Sequence, residues 1–188
     1  MRSKNFVLSL TALCFVAAPV MAAPSYPDKP YEATIDNVGT NTSSHTYNDG
    51  KGHMRSETTV AGVKRASILD FQNKVMYSID DQNKTIMKMP FSGRPEDDST
   101  ANWQSIGNKV IDGHPCTGKR GLSNGITTEV WTGTDTGCSV LITSNGKPVS
   151  KLLSYKGGPV NPALFQLPAG YKTTDMSAMM KNMQAGGR

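Results

Sequence analysis

Three histidines (His45, His53 and His114), three cysteines (Cys14, Cys116 and Cys138) and two adjacent carboxylate pairs (Asp80–Asp81 and Asp97–Asp98) are the side chains best suited to chemistry. No two of the histidines have metal-ligand spacing. No Gly-x-Ser-x-Gly elbow, phosphate loop or dinucleotide fingerprint is present. Both aspartate pairs sit in turn-like contexts, where Asp is expected for local hydrogen bonding. His114-Pro115-Cys116 can be read as a Cys/His nucleophile pair, but a turn leading to a structural cysteine is the favoured reading. The expectation is a protein without a catalytic constellation and without a cofactor.

Sulfur offers more. Met176, Met179, Met180 and Met183 fall at i, i+3, i+4 and i+7, which places all four on one face of a short helix. Gly186-Gly187 ends it. Such a face has three uses. It can pack on a sheet, its thioethers filling irregular space. It can present an adaptable apolar surface to a lipid or partner. It can hold copper(I), which thioethers suit, although the tail has no His or Cys to assist.

The elements that must position these residues are short strands. After Pro24, Pro27 and Pro30, which mark residues 23–31 as an extended, mobile arm, period-two alternation with turn punctuation dominates. Strands are expected over 53–60, 65–71, 75–80, 84–89, 109–112, 116–122, 126–131, 138–143 and 149–155. Asn145-Gly146 is a strong hairpin signal. Residues 32–38 fit a strand or a short helix, and 90–102 read as a loop or crossover. The single β domain is expected over 32–173, with a helical tail over 174–188.

The amino terminus reads as a secretory signal. Arg2 and Lys4 precede an apolar run from Phe6 to Val20, and Val20-Met21-Ala22 forms a cleavage site after Ala22. The run is shorter than a spanning helix requires, and Pro19 interrupts it. Cys14 is preceded by Leu13, with Thr11 three residues before it, so it does not fit a lipidation site. Cleavage lowers the formal charge from +5 to +3, because Arg2 and Lys4 leave. The remaining basic residues are dispersed, which argues against nucleic acid, and no transmembrane run follows the leader. A soluble periplasmic protein is expected. Cys116 and Cys138 then form an even pair in an oxidising compartment, and a disulfide is expected. It would close a loop of about 22 residues and contribute about 3 kcal/mol. Two free thiols are the alternative.

One motif is more specific. Leu164-Phe165-Gln166-Leu167-Pro168-Ala169-Gly170-Tyr171, followed by a Met-containing tail, resembles the closing strand of a family of exported bacterial proteins of unknown function. That family is grouped with the lipoprotein-carrier (LolA/LolB-like) fold. Arg55 with Asp70, Val75-Met76-Tyr77 with Ile86-Met87-Lys88-Met89, and Val110 to Cys116 agree with it. The resemblance covers roughly residues 45–176. It implies a mainly β (α+β) domain, an open, curved antiparallel half-barrel with helical cover on its concave side. It also implies an apolar ligand cavity, for which Met54, Ile68, Val75, Tyr77, Trp131, Leu153 and Phe165 are the candidate walls. Little covering helix is visible here, so binding of a lipophilic ligand or lipoprotein carries over better than lipoprotein transport itself. A Met-rich copper-handling protein and an envelope interaction module without a small ligand are the alternatives.

Overall fold

A computed structural model describes residues 26–91 and 102–177. The expected leader over 1–22 with Cys14, most of the 90–102 loop with Asp97 and Asp98, and the Met179, Met180 and Met183 face of the tail lie outside them. Among the described residues, twelve strands form one open, curved, almost wholly antiparallel sheet. They are β1 (Tyr31–Asn37), β2 (Thr42–Asn48), β3 (His53–Val60), β4 (Val63–Asp70), β5 (Val75–Asp80), β6 (Thr85–Pro90), β7 (Gln104–Ile111), β8 (His114–Ser123), β9 (Ile126–Gly133), β10 (Ser139–Ser144), β11 (Lys147–Gly157) and β12 (Lys172–Asp175). The mainly β half-barrel implied by the resemblance is what the chain forms.

The order across the sheet is β12-β6-β5-β4-β3-β2-β1-β11-β10-β9-β8-β7. Two hairpin meanders therefore meet where β1 pairs with β11, and β12 and β7 are the free edges. Tight two-residue turns set several registers. Asn145 and Gly146 both take positive φ (48° and 77°), the mirror-image turn whose twist matches that of paired strands. Register shifts interrupt the β1–β11, β10–β11, β9–β10 and β7–β8 ladders. Such bulges bend strands and increase twist, which accounts for the curl of this half.

Two hydrophobic clusters sit in the sheet. The first joins Tyr31, Ala33, Cys116, Trp131, Cys138, Val140 and Leu152. The second is Ala66, Ile68, Ile79 and Ile86, with Tyr77 and Tyr171 against it. Between them β2 buries Ser44, Thr46 and Asn48.

Several expectations are corrected. Of residues 32–38, all but Val38 fall in β1, and Thr42–Asn48 is a strand that the apolar pattern did not announce. The arm is fastened where it is described: Asn48 Nδ2 donates to the carbonyls of Pro27 (3.1 Å) and Lys29 (2.7 Å), and Tyr26 packs on Phe71. The Leu164–Tyr171 motif is not a strand. It begins in a 3₁₀ turn over Pro162–Phe165 and continues irregularly to Tyr171, because Pro162 and Pro168 lack the N–H that a ladder needs. The strand follows it, and β12 runs parallel to β6. Thr174 and Asp175 therefore belong to the sheet, not to a helical tail. The Cys116–Cys138 bridge is not formed, and both are free, buried thiols. Cys116 pairs with Gly133, and Gly133 N donates to Cys138 O, so one strand's width separates them. The hydroxyl of buried Thr136 lies against Gly133 in the gap and accepts from the Cys138 thiol.

Candidate ligand-binding face

Strand pairing aligns side chains into rows that share a face, since direct cross-strand partners point the same way. One row runs Thr34, His45, Glu57, Ala66, Ile79, Ile86. The next runs Glu32, Tyr47, Arg55, Ile68, Tyr77, Lys88. A third places His53, Asp70, Val75 and Pro90 together. The face is thus ionic over β1–β3 and apolar over β4–β6.

The apolar half is covered by the irregular segment 162–171, which acts as a strap. Tyr171 packs on the Ile68–Ile79–Ile86 floor, and its hydroxyl donates to Asp81 Oδ1 at 3.0 Å. Arg55, 16% exposed, holds the other end. Its Nη1 donates to Leu164 O at 3.1 Å and its Nε to Glu57 Oε1 at 2.6 Å. Phe165 lies against the His53 ring, with centroids 6.2 Å apart. His53 in turn sits between Asp49 (2.7 Å) and Asp70 (4.0 Å). Burial pushes both carboxyls up, but hydrogen bonds outweigh it and hold them below the ordinary range. Asp49 accepts from the backbone of His53 and Lys51 and from the His53 ring, and Asp70 from Asn73. Burial and the neighbouring Glu57 and Glu32 push the Tyr47 phenol up.

Beside the strap an open groove of about 460 Å³ runs along β1–β4, with His45, Arg55, Glu57 and Lys64 on its walls. A second space of about 340 Å³ shares Arg55 and Asp81 with it and reaches beneath Leu164, Leu167 and Pro168. The pair forms one tract, polar at its mouth and apolar under the strap.

The structure brings Ile68, Val75 and Tyr77 onto this face and Phe165 onto the strap. Met54 belongs to the opposite face, paired with Asn48 and Leu69. Trp131 lies in the other cluster, with Lys109 Nζ 3.8 Å from its ring centre. Leu153 is the extra residue of the β1–β11 bulge and is 55% exposed. Glu57 was not singled out from sequence, and His45 and Asp81 were weighed there only for metal binding or catalysis, not as members of this face. The alternation His53-x-Arg55-x-Glu57 on one strand could have found their face.

The nucleophile pair does not assemble. Cys116 Sγ donates to the backbone carbonyl of His114 (3.3 Å), while His114 Nδ1 lies 2.7 Å from Asp135 Oδ2. Burial pushes both thiols up. Asp80 accepts from Gln82 and Asn83 and closes the β5–β6 turn. No group of three or more His, Cys, Asp or Glu suited to a metal occurs among the described residues. No described helix is long and apolar enough to cross a membrane.

No family model matches the chain, and no curated protein matches it in sequence. Solved structures do share its fold. An uncharacterized conserved protein from Thermus thermophilus superimposes with a TM-score of 0.60 at 13% identity, covering 79% of this chain and 91% of that one. PNGF-II matches with a TM-score of 0.56 at 15% identity, covering 85% of this chain. This chain spans only 33% of PNGF-II. A domain from Vibrio parahaemolyticus described as outer membrane lipoprotein-sorting also matches, at 9% identity and a TM-score of 0.35, covering 73% of this chain and 88% of that one.

Proposed function

We propose that this chain is an exported, soluble binding or carrier module for an amphiphile with an acidic head, an acyl chain being the simplest case. The observation that carries the reading is the change of character along one face. Arg55 and Lys64 border an open groove, and one to three strands further, along the Arg55 row and its neighbour, the floor becomes Ile68, Ile79 and Ile86. That floor is covered by a strap of irregular chain, not by a packed layer. A lipid tail would lie where the strap now lies, and the head would take the Arg55 donors released from Leu164. Apolar sites with a few placed polar groups are the usual form of a small-ligand pocket.

Export rests on the leader-type sequence of residues 1–22. Binding in preference to catalysis is supported by the raised, buried thiols and by Asp80 and Asp81, which are engaged in a turn and in the strap. Thiols kept protonated are poor nucleophiles.

Native mass spectrometry of the protein purified after export tests the reading, together with titration by a fluorescent fatty acid. Copurified lipid or saturable uptake is expected. Lys64→Glu should weaken uptake at least several-fold by placing like charge beside the head. A clean apo mass with no uptake would count against an amphiphile and leave the protein-interaction alternative.

A further inference from the structure

The opposite face of the same strands carries sulfur. Met54 pairs with Leu69, Leu69 with Met76, and Met76 with Met89. The parallel β6–β12 register aligns Lys88 with Asp175, and Met176 N donates to Lys88 O at 2.8 Å. Met176 therefore continues the row beside Met89. Met87, 43% exposed, lies two residues before Met89 and shares its face. The chain has ten methionines, of which Met1 and Met21 fall in the expected leader. The other eight are these five and the three that follow in the tail, Met179, Met180 and Met183.

Three adjacent strands thus place Met76, Met89 and Met176 in one row. Neighbouring strands are about 4.8 Å apart and directly paired Cβ atoms about 5 Å apart. The unbranched thioether side chain, with three rotatable bonds, lets sulfurs so spaced converge on one ion. The neighbouring row on this face is Ser56, Ser67, Ser78, Met87 and Thr174. The two rows contain no carboxylate, imidazole or ammonium from β3 to Met176. Sulfur-only, uncharged donors select a soft monovalent ion and disfavour zinc or copper(II).

We propose that Met76, Met89 and Met176, with Met87 as a fourth donor, form a copper(I) site on the face opposite the groove. The site is independent of the amphiphile reading, because no residue of the groove or strap belongs to it.

Anaerobic copper(I) titration against a competing chelator tests it, with silver(I) as a redox-inert probe. The exported protein should bind one ion, and zinc should not compete. Met76→Leu with Met89→Leu, swaps that keep side-chain volume, should lower affinity at least tenfold. Met179→Leu, Met180→Leu and Met183→Leu together should leave an ion bound. Methyl-labelled methionine NMR of the unaltered protein gives a reading that no variant's misfolding can spoil. Silver(I) should move the Met76, Met89 and Met176 methyls and leave Met54, beyond Leu69, in place. Absence of chelator competition, unchanged affinity in the double variant, or shifts confined to the tail methionines would each overturn the proposal. The first result would mean that the row is an apolar packing surface only.

Discussion

Asp49 shows how one side chain prepares the candidate face. Its Oδ1 accepts from the backbone N–H of Lys51 (2.7 Å) and His53 (2.9 Å), and its Oδ2 meets His53 Nδ1 at 2.7 Å. The carboxylate closes the turn before β3 and fixes the ring against which Phe165 of the strap rests. Burial opposes the charge, but the three partners prevail and the carboxyl titrates below its ordinary value. A group depressed on folding stabilises the fold above its unfolded pKa, about 3.9. That contribution is lost as pH falls from there through the lower folded value. Asp49→Asn should cost about 1.5–3 kcal/mol at neutral pH, the worth of hydrogen bonds to a charged group. Its urea midpoint should fall less steeply than the parent's between the unfolded and folded values. Curves that stay parallel down to pH 2 would mean that the charge of Asp49 contributes nothing.

The strap is the element on which the proposed site depends, and Tyr171 joins it to the sheet in two ways. The ring covers Ile68, Ile79 and Ile86, and the hydroxyl reaches exposed Asp81. The two contributions separate by substitution. Tyr171→Phe removes a solvent-accessible hydrogen bond and should cost less than about 1 kcal/mol. Tyr171→Ala also uncovers the floor and should cost about 2–4 kcal/mol, measured by urea denaturation. Equal losses would place the strap's hold in the hydrogen bond instead. Legibility differs among the elements for related reasons. β3 and the Asn145–Gly146 hairpin were plain in the sequence, because alternation and turn chemistry are local signals. β2 was silent: its buried positions are Ser44, Thr46 and Asn48, so apolar periodicity had nothing to register. The Leu-Pro-Ala-Gly-Tyr motif could be recognised without its conformation. The groove and the thioether row were illegible, because each is assembled by pairing strands distant in sequence. Met89 and Met176 become neighbours only once β12 docks on β6.

For the molecule as a whole, the sheet is continuous while its apolar interior is not. The cluster around Val140 and the cluster around Ile79 share no residue. What joins them is β2 and β3, with polar contacts such as Asn37 Nδ2 to Ser44 Oγ (2.7 Å) and Ser44 Oγ with Thr58 Oγ1 (2.6 Å). Ladder hydrogen bonds contribute only modestly in net terms, whereas buried apolar area carries most of the driving force. The half whose buried cluster has four residues and an irregular cover should therefore open at lower free energy than the half whose cluster has seven. That ordering suits a carrier, since the strap and its floor could part while β9–β11 keep the fold. Ile79→Ala should remove about 2–4 kcal/mol. Native-state hydrogen exchange should show this loss in β4–β6 and β12, with β9 and β10 amides unchanged. Val140→Ala should instead lower protection in β9 and β10. If Ile79→Ala accelerated exchange uniformly across all strands, the twelve would be one cooperative unit, and ligand entry by local opening of the strap half would lose its physical basis.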